Sequence, residues 1–203
     1  MLLVFSACND GMSRVPPVRK DLMMAEFDDD GKLSVIVVDG GPTLNVVKVK
    51  RNSLSGPFVA PVRSIAFWEQ NLDLMEAVIY DIANVLVITP RLNDKTDVLK
   101  QYPVNFIRGW VSSGYLNLEI GIKSKDIQFH VIGFDEQNTD EPNTVNFVFT
   151  HDKTIDIDSA TKKIVISIPL NEYNLRFDGS DYTIKLKLNT FDDVQVKQFK
   201  VIL

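Results

Sequence analysis

The sequence has a single cysteine, only two histidines and no long apolar run. One cysteine excludes intrachain disulfides and any metal site built from several thiolates. No stretch approaches the roughly 18 apolar residues that a membrane-spanning helix needs. A basic surface is also lacking, because 22 lysines and arginines face 27 acidic residues and leave a net charge of −5. Nucleic-acid-binding proteins normally present a basic face, so we expect no nucleic-acid partner.

Motifs for catalysis and cofactor binding are missing as well. No Gly-x-Ser-x-Gly turn frames a nucleophile. Gly40-Gly41 is followed by Pro42 and a strand-like segment, not by the helix N-terminus that would cradle a phosphate. His130 and His151 fall in or at the end of alternating segments, which favours an interpretation as strand or turn residues. We therefore expect no catalytic residue, no cofactor and no metal site, and we do not expect an enzyme.

Aspartates cluster at three places, namely 28–30, 152 with 156 and 158, and 192–193. A calcium-binding loop needs several oxygen ligands on a tight turn and a bidentate carboxylate that closes it. The run Asp28-Asp29-Asp30-Gly31 has neither that spacing nor a closing glutamate. Aspartate is common in turns because its side chain accepts hydrogen bonds from nearby backbone amides, and turn formation is the simpler explanation.

The first half of the chain has the pattern of short strands separated by turns. Residues 33–38 predict a strand buried on both faces, 39–42 a turn and 43–50 the hairpin partner. Segments 22–27 and 63–68 add strands, and 76–88 predicts one long or bent strand. About five strands in roughly 70 residues are too few for a large sheet and suit a small β domain.

Aromatic and basic residues of this half bear on nucleic-acid binding, which needs stacking rings and a basic groove. Ile65 and Phe67 share one strand face, and we expect Phe67 and Tyr80 to pack in the core, with Trp68 undecided. The basic cluster of this half consists of Lys48, Lys50, Arg51 and Arg63. Because lysines alternate with valines at strand spacing, the solvent-facing side of a strand explains this cluster better than an anion site.

The apolar pattern breaks between Thr89 and Pro103, which predicts a domain boundary. Beyond it, segments 106–111 and 115–122 flank Ser112-Ser113-Gly114, a predicted hairpin loop. Several further segments alternate in the same way, with one apolar and one polar face. Such a series of strands predicts two packed sheets, a β-sandwich.

The N-terminal residues Met1 to Asp10 resemble the lipobox of a bacterial lipoprotein signal, with small Ser6 and Ala7 before Cys8. In such signals the cysteine carries the lipid and becomes the mature N-terminus. A secretory signal also has a basic start and an apolar core of about 7–15 residues. Here no basic residue precedes Cys8 and the apolar stretch ends at Phe5. Either the true start lies upstream, or Cys8 is an ordinary residue of an apolar terminus.

Several segments together are similar to the NigD-like lipoproteins. They are 37–41, the run Gly109-Trp110-Val111-Ser112-Ser113-Gly114-Tyr115-Leu116-Asn117-Leu118, and the segments 127–130, 145–151 and 164–170. The resemblance implies an all-β chain in which a small OB-like five-stranded barrel precedes an immunoglobulin-like β-sandwich. It also implies lipid attachment at Cys8. The expected divisions are a signal remnant and tether over 1–20, the barrel over 21–92 and the sandwich over 100–203.

The function that these patterns favour is that of a cell-envelope lipoprotein acting as a binding or scaffolding module. We expect an exported protein held by its N-terminal lipid at the outer membrane or the periplasmic side, with an envelope protein or a glycan as partner. The alternative is an enzyme, or an enzyme inhibitor, directed at glycan or cell-wall material through a site assembled from scattered residues.

The lipid anchor is directly testable from the full gene with its upstream region. We expect a mature chain that begins at Cys8 and carries a mass increment of lipid, because Ser6 and Ala7 fit a narrow cleavage pocket. Mass spectrometry of the N-terminal peptide from membrane fractions measures this. A cytoplasmic chain that keeps residues 1–7 unmodified contradicts the prediction.

Overall fold

The structure is a computed structural model that describes residues 17–56, 61–71, 73–92, 100–153 and 156–203, so Cys8 lies outside the described residues. Nearly all of the regular structure is β-strand. The exceptions are one short helix, α1 (Asn171–Arg176), and a 3-10 turn over Ile127–Phe129. Within the described residues, no helix has the length and apolarity required to cross a membrane.

The N-terminal part folds into a closed barrel. Its strands are β1 (Arg19–Phe27), β2 (Leu33–Val38), β3 (Thr43–Val49), the two-residue β4 (Asn52–Ser53), β5 (Val62–Asn71) and β6 (Glu76–Asn84). The hydrogen-bonded order β3-β2-β1-β5-β6 closes through a parallel pairing of β3 with β6. The predicted OB-like five-stranded barrel is therefore confirmed.

Side chains on alternate positions of β5 point to opposite sides of the barrel wall. Ala66 and Trp68 point inward and are at most 1% exposed, whereas Phe67 points outward and is 45% exposed. Tyr80 is also outside the core, where its hydroxyl donates to Glu69 at 2.6 Å. The expectation that Phe67 and Tyr80 pack in the core is therefore wrong, and Trp68 takes that place. Both faces of this strand are apolar, so alternation alone does not identify the buried one.

Three further expectations for the barrel are corrected. β2 is not buried on both faces, because Leu33, Ile36 and Val38 are buried and the residues between them are half-buried. The predicted strand over 76–88 ends at Asn84. Arg63 does not lie on a solvent-facing strand surface, since it is only 3% exposed.

The C-terminal part is a sandwich of two sheets, as predicted. Its strands are β7 (Leu86–Val87), β8 (Arg91–Leu92), β9 (Asn105–Ser112), β10 (Tyr115–Lys123), β11 (Val131–Gln137), β12 (Thr144–Asp152), β13 (Thr161–Pro169), β14 (Tyr182–Asn189) and β15 (Val194–Val201). One sheet has the order β7-β13-β10-β9 and the other the order β15-β14-β12-β11-β8. We call the first the inner sheet, because it lies between the second sheet and the barrel.

The segment after the barrel contributes a short strand to each sheet of the sandwich. β7 pairs in parallel with β13, and β8 pairs in parallel with β11. Residues 86–92 thus leave the barrel, cross one open side of the sandwich and tie its two sheets together. The division of the chain into units at 92 and 100 stays a prediction, to be checked by limited proteolysis.

The sandwich core follows from the predicted alternation. Leu116, Leu118 and Ile120 of β10 are each at most 1% exposed and face the side chains of the other sheet. The β9–β10 loop is Ser113-Gly114, shorter by one residue than predicted, with φ of 49° and 76°. Positive φ at both positions is the requirement of a two-residue hairpin turn that matches strand twist.

Arg63 joins the two parts of the molecule. Its guanidinium donates to both carboxylate oxygens of Asp39 at 2.5 and 2.6 Å within the barrel. It also donates to Asn117 at 3.0 Å and Ser167 at 3.3 Å on the inner sheet. The ring of Tyr115 lies 4.5 Å from the guanidinium carbon, completing an enclosed site.

Asp39 is held from the sandwich side as well, because the Ser112 hydroxyl donates to it at 2.6 Å. Burial alone would raise the pKa of Asp39, but the hydrogen bonds from Arg63 and Ser112 outweigh it and keep the pKa below its usual range. The carboxylate is thus charged at neutral pH. A buried ion pair whose remaining donors and acceptors are all satisfied fixes geometry more than it adds stability.

Arg63→Met should lower the free energy of unfolding by about 3–5 kcal/mol, because it leaves the Asp39 carboxylate buried without its counter-charge. The matched control is Arg108→Met, which breaks the exposed pair with Glu119 and should cost roughly 0.2–1 kcal/mol. Urea unfolding followed by circular dichroism measures both. Equal effects of the two substitutions would contradict the assigned role of Arg63.

Candidate functional site

The two histidines are brought together in the sandwich. His130 Nδ1 lies 2.7 Å from His151 Nε2, and the two rings stack with centroids 5.0 Å apart. On its other side, His130 Nε2 lies 2.8 Å from Asp156 Oδ2. His151 Nδ1 lies 3.0 Å from the backbone oxygen of Tyr102. No local pattern in the sequence indicates this chain of contacts, because its members are separated by up to 54 positions.

The two outer contacts assign the donors. The Tyr102 oxygen can only accept, and so can the Asp156 carboxylate, so His151 Nδ1 and His130 Nε2 donate in these contacts. Burial lowers the pKa of His151 below 6.5, although the hydrogen bond to Tyr102 opposes the shift, and the proximity of His130 lowers the pKa further.

Asp156 is held by several donors besides His130. The Ser124 hydroxyl donates to it at 2.6 Å, and the backbone amides of Lys125 and Asp126 donate at 3.0 and 3.2 Å. These hydrogen bonds, that of Ser124 foremost, keep the pKa of Asp156 well below its usual range. These contacts tie Asp156, which lies between β12 and β13, to the segment that connects β10 to β11.

The remaining acidic clusters have local roles. Asp28 Oδ1 accepts from the amides of Asp30 at 3.1 Å and Lys32 at 2.8 Å, which is the expected turn chemistry. Asp158 pairs with Lys153 at 2.7 Å. Across the part of the chain that the structure describes, no three His, Cys, Asp or Glu side chains are grouped in a way that could hold a metal ion.

Three members of the basic cluster Lys48, Lys50, Arg51 and Arg63 are already engaged by partners on the barrel. Arg63 is buried against Asp39, Lys50 lies 3.7 Å from the centre of the Tyr80 ring and Arg51 faces Asp81 at 3.8 Å.

A cleft of about 780 Å³ lies beside the barrel–sandwich junction. The barrel lines it with the outward face of β5 and β6, including Ile65, Phe67 and Ala83. The connecting segment and the sandwich complete the wall with Val85, Leu86, Ile88, Ile127, Val131, Ile132, Ile164 and Val165. Phe67 and Val131 are 45% and 67% exposed, so large apolar side chains meet solvent here.

Two strand edges of the sandwich open into this cleft. β13 pairs with β10 along its whole length, but on its other side β7 covers only Ile166 and Ser167. β11 is likewise covered by β8 only at Asp135 and Glu136. Residues 161–165 and 131–134 therefore have no strand partner on the cleft side among the described residues.

Lysines flank the apolar wall. Lys20 of β1 lies 5.3 Å from the centre of the Phe67 ring, and Lys163 of β13 lines the cleft on the sandwich side. Neither lysine forms an ion pair within the described chain. The carboxylate of the lining, Asp81, faces Arg51. The cleft thus combines an apolar wall with two available cations.

A family model described as the NigD-like C-terminal beta sandwich domain matches residues 87–201. The chain belongs to the NigD-like family. The match begins at β7, so the NigD-like sandwich includes the connecting segment that pairs with both sheets. A comparison with functionally curated proteins finds no match.

Several solved structures share the whole architecture. A NigD-like immunity protein from Bacteroides caccae is 25% identical, covers 92% of this chain and 98% of its own, and has a TM-score of 0.76. A candidate toxin-related protein from Parabacteroides distasonis is 15% identical over 92% of this chain and 94% of its own, with a TM-score of 0.74. A candidate lipoprotein from Bacteroides fragilis is 12% identical over 92% and 98%, with a TM-score of 0.56. The last two show the fold alone.

Sequence reasoning missed the cleft of this NigD-like chain. The one available signal was the apolar run Val85-Leu86-Val87-Ile88 directly before the predicted boundary. The pattern predicts a barrel strand here, whereas three of the four side chains, those of Val85, Leu86 and Ile88, line the cleft. Alternation cannot reveal such a surface, because its residues come from strands that are distant in sequence.

The histidine pair predicts acid sensitivity. The pKa of His151 is lower in the folded chain than in the unfolded chain. As the pH falls below about 6.5, this histidine therefore binds a proton in the unfolded chain before it does so in the folded chain. The free energy of unfolding should therefore fall as pH drops below about 6.5, well before the aspartates titrate. Urea midpoints from pH 7.5 to 5 measure this, and His151→Gln should show a weaker dependence. A wild-type midpoint that is constant or rises over this range contradicts the assignment.

Proposed function

We propose that this NigD-like protein is a non-catalytic binding module of the cell envelope, held to a membrane by a lipid on Cys8, and that the cleft at the barrel–sandwich junction is its binding site. The observation that supports this most directly is the exposed apolar wall formed by Phe67 and Val131. Exposed apolar patches of this kind mark interaction sites in soluble domains. Concave, mostly apolar pockets with a few polar groups are the usual form of a ligand site.

The rigidity of the junction supports the same function. The Arg63 site connects barrel and inner sheet through hydrogen bonds to Asn117 and Ser167. A cleft whose walls come from two parts locked together is preformed, which reduces the entropy lost on binding. The relative from Bacteroides caccae is described as an immunity protein, and an immunity function for this chain would be exercised through such a surface.

Catalysis on glycans is the weaker alternative. Glycoside hydrolases commonly use two carboxylates, about 5–9.5 Å apart, on either side of the scissile bond. Among the described residues, Asp81 is the one carboxylate in the cleft lining, and it faces Arg51. His130 also borders the cleft, but both of its nitrogens are engaged by His151 and Asp156. These contacts favour binding over chemistry.

Photo-crosslinking in cells that make the protein tests the cleft. With p-benzoylphenylalanine in place of Val131, we expect ultraviolet-dependent adducts, because this side chain lines the exposed wall. With the same group at Val196, which is 55% exposed on β15 and outside the cleft, we expect none. Phe67→Glu should abolish the Val131 adducts. Absence of adducts at Val131, or equal adducts at both positions, overturns the assignment of the cleft.

A further inference from the structure

We propose that the ligand of the cleft is an extended polypeptide segment with alternating apolar and acidic side chains, which adds as a strand to the open edge of β13. This inference rests on the proposed function, because it names the ligand class of the same cleft. Three features support it: the direction of the free backbone groups, the apolar wall and the two unpaired lysines.

The free backbone groups of β13 point toward the cleft. The amide of Ile88 donates to the Ser167 oxygen at 3.0 Å, so Ser167 directs its backbone groups toward the β7 side. Backbone direction repeats every second residue in a strand. The N–H of Val165 and both backbone groups of Lys163 therefore point to that same side, beyond the end of β7, whereas the C=O of Val165 faces Leu86 of β7. An incoming strand continues the line of β7 and pairs with these groups.

The apolar wall provides sites for alternate side chains of that strand. Ile65 and Phe67 lie on the barrel side, and Val131 and Ile132 lie on the side of β11. In strand addition, main-chain hydrogen bonds contribute affinity and pockets for every second side chain contribute specificity. Five open residues, 161–165, span about 17 Å, which matches a ligand of five or six residues.

The charges select the ligand and disfavour self-association. Lys20 and Lys163 lack ion-pair partners within the described chain. Carboxylates on the incoming strand therefore form ion pairs with these two lysines. A second copy paired edge to edge through β13 would bring Lys162 and Lys163 close to their own counterparts. Lysines on strand edges are a common defence against such pairing. The favoured occupant is an acidic partner strand.

A displayed library of random ten-residue peptides, selected against the full chain, is the experiment. We expect enrichment of sequences with apolar residues at every second position and Asp or Glu between them. Binding should weaken about tenfold in Lys20→Glu with Lys163→Glu, because two attractions become repulsions. The matched control is Lys48→Glu with Lys187→Glu, two exposed lysines outside the cleft with the same change in net charge, and it should bind normally.

Strand addition has a second readout that does not depend on mutants. The amides of Lys163 and Val165 should gain protection from hydrogen exchange when an enriched peptide binds, and N-methylation of alternate peptide residues should abolish binding. No enrichment, binding that persists in the cleft double variant, or binding without amide protection overturns the inference.

Binding of an acyl chain instead of a peptide is the competing outcome. If palmitate binds to the chain, if Phe67→Glu abolishes that binding and if no peptide is enriched, the proposed binding function stands and the peptide inference falls. If neither palmitate nor any peptide binds and the Val131 crosslinks are absent, both fall.

Discussion

A buried arginine that needs partners from both the barrel and the sandwich is the constraint on which this structure depends. Arg63 is only 3% exposed, and Asp39 satisfies its charge from within the barrel. Its remaining donors are satisfied only by Asn117 and Ser167 of the inner sheet. An unpaired buried guanidinium would be far more costly than a lost contact. Barrel and sandwich therefore meet in one relative orientation. The polar face of the inner sheet that points away from the sandwich core is buried by this contact.

That orientation determines where the cleft lies. The barrel covers the middle of the inner sheet, around Asn117, and leaves the N-terminal half of β13 uncovered. The short strands β7 and β8 cross the open side of the sandwich but cover only two residues each of β13 and β11. Two strand edges and the outward face of β5 thus border the same space. The histidine pair lies next to this space and, with Asp156, connects β12 and the loop after it to the segment between β10 and β11.

The all-β class, the five strands of the barrel and the sandwich could all be predicted from sequence. So could the β9–β10 hairpin, although its loop is one residue shorter than predicted. Strand periodicity and turn chemistry are local properties, readable within a few residues. The prediction was wrong at Phe67, Tyr80 and Arg63. In β5 both alternating sets contain apolar residues, so the pattern does not say which set faces the barrel interior. Arg63 was assigned to solvent because its partners are 24, 54 and 104 positions away.

The candidate site belongs entirely to tertiary structure. Nothing local to His130 shows that it contacts His151 and Asp156, and nothing local to Lys163 shows that its strand edge stays open. The sequence by itself determined which segments are strands, because side-chain alternation and turn residues are local properties of the chain. Only the folded chain decided which faces are covered, since coverage depends on how the Arg63 site docks the barrel against the sandwich. Contacts between residues distant in the chain leave no periodic signal in its sequence.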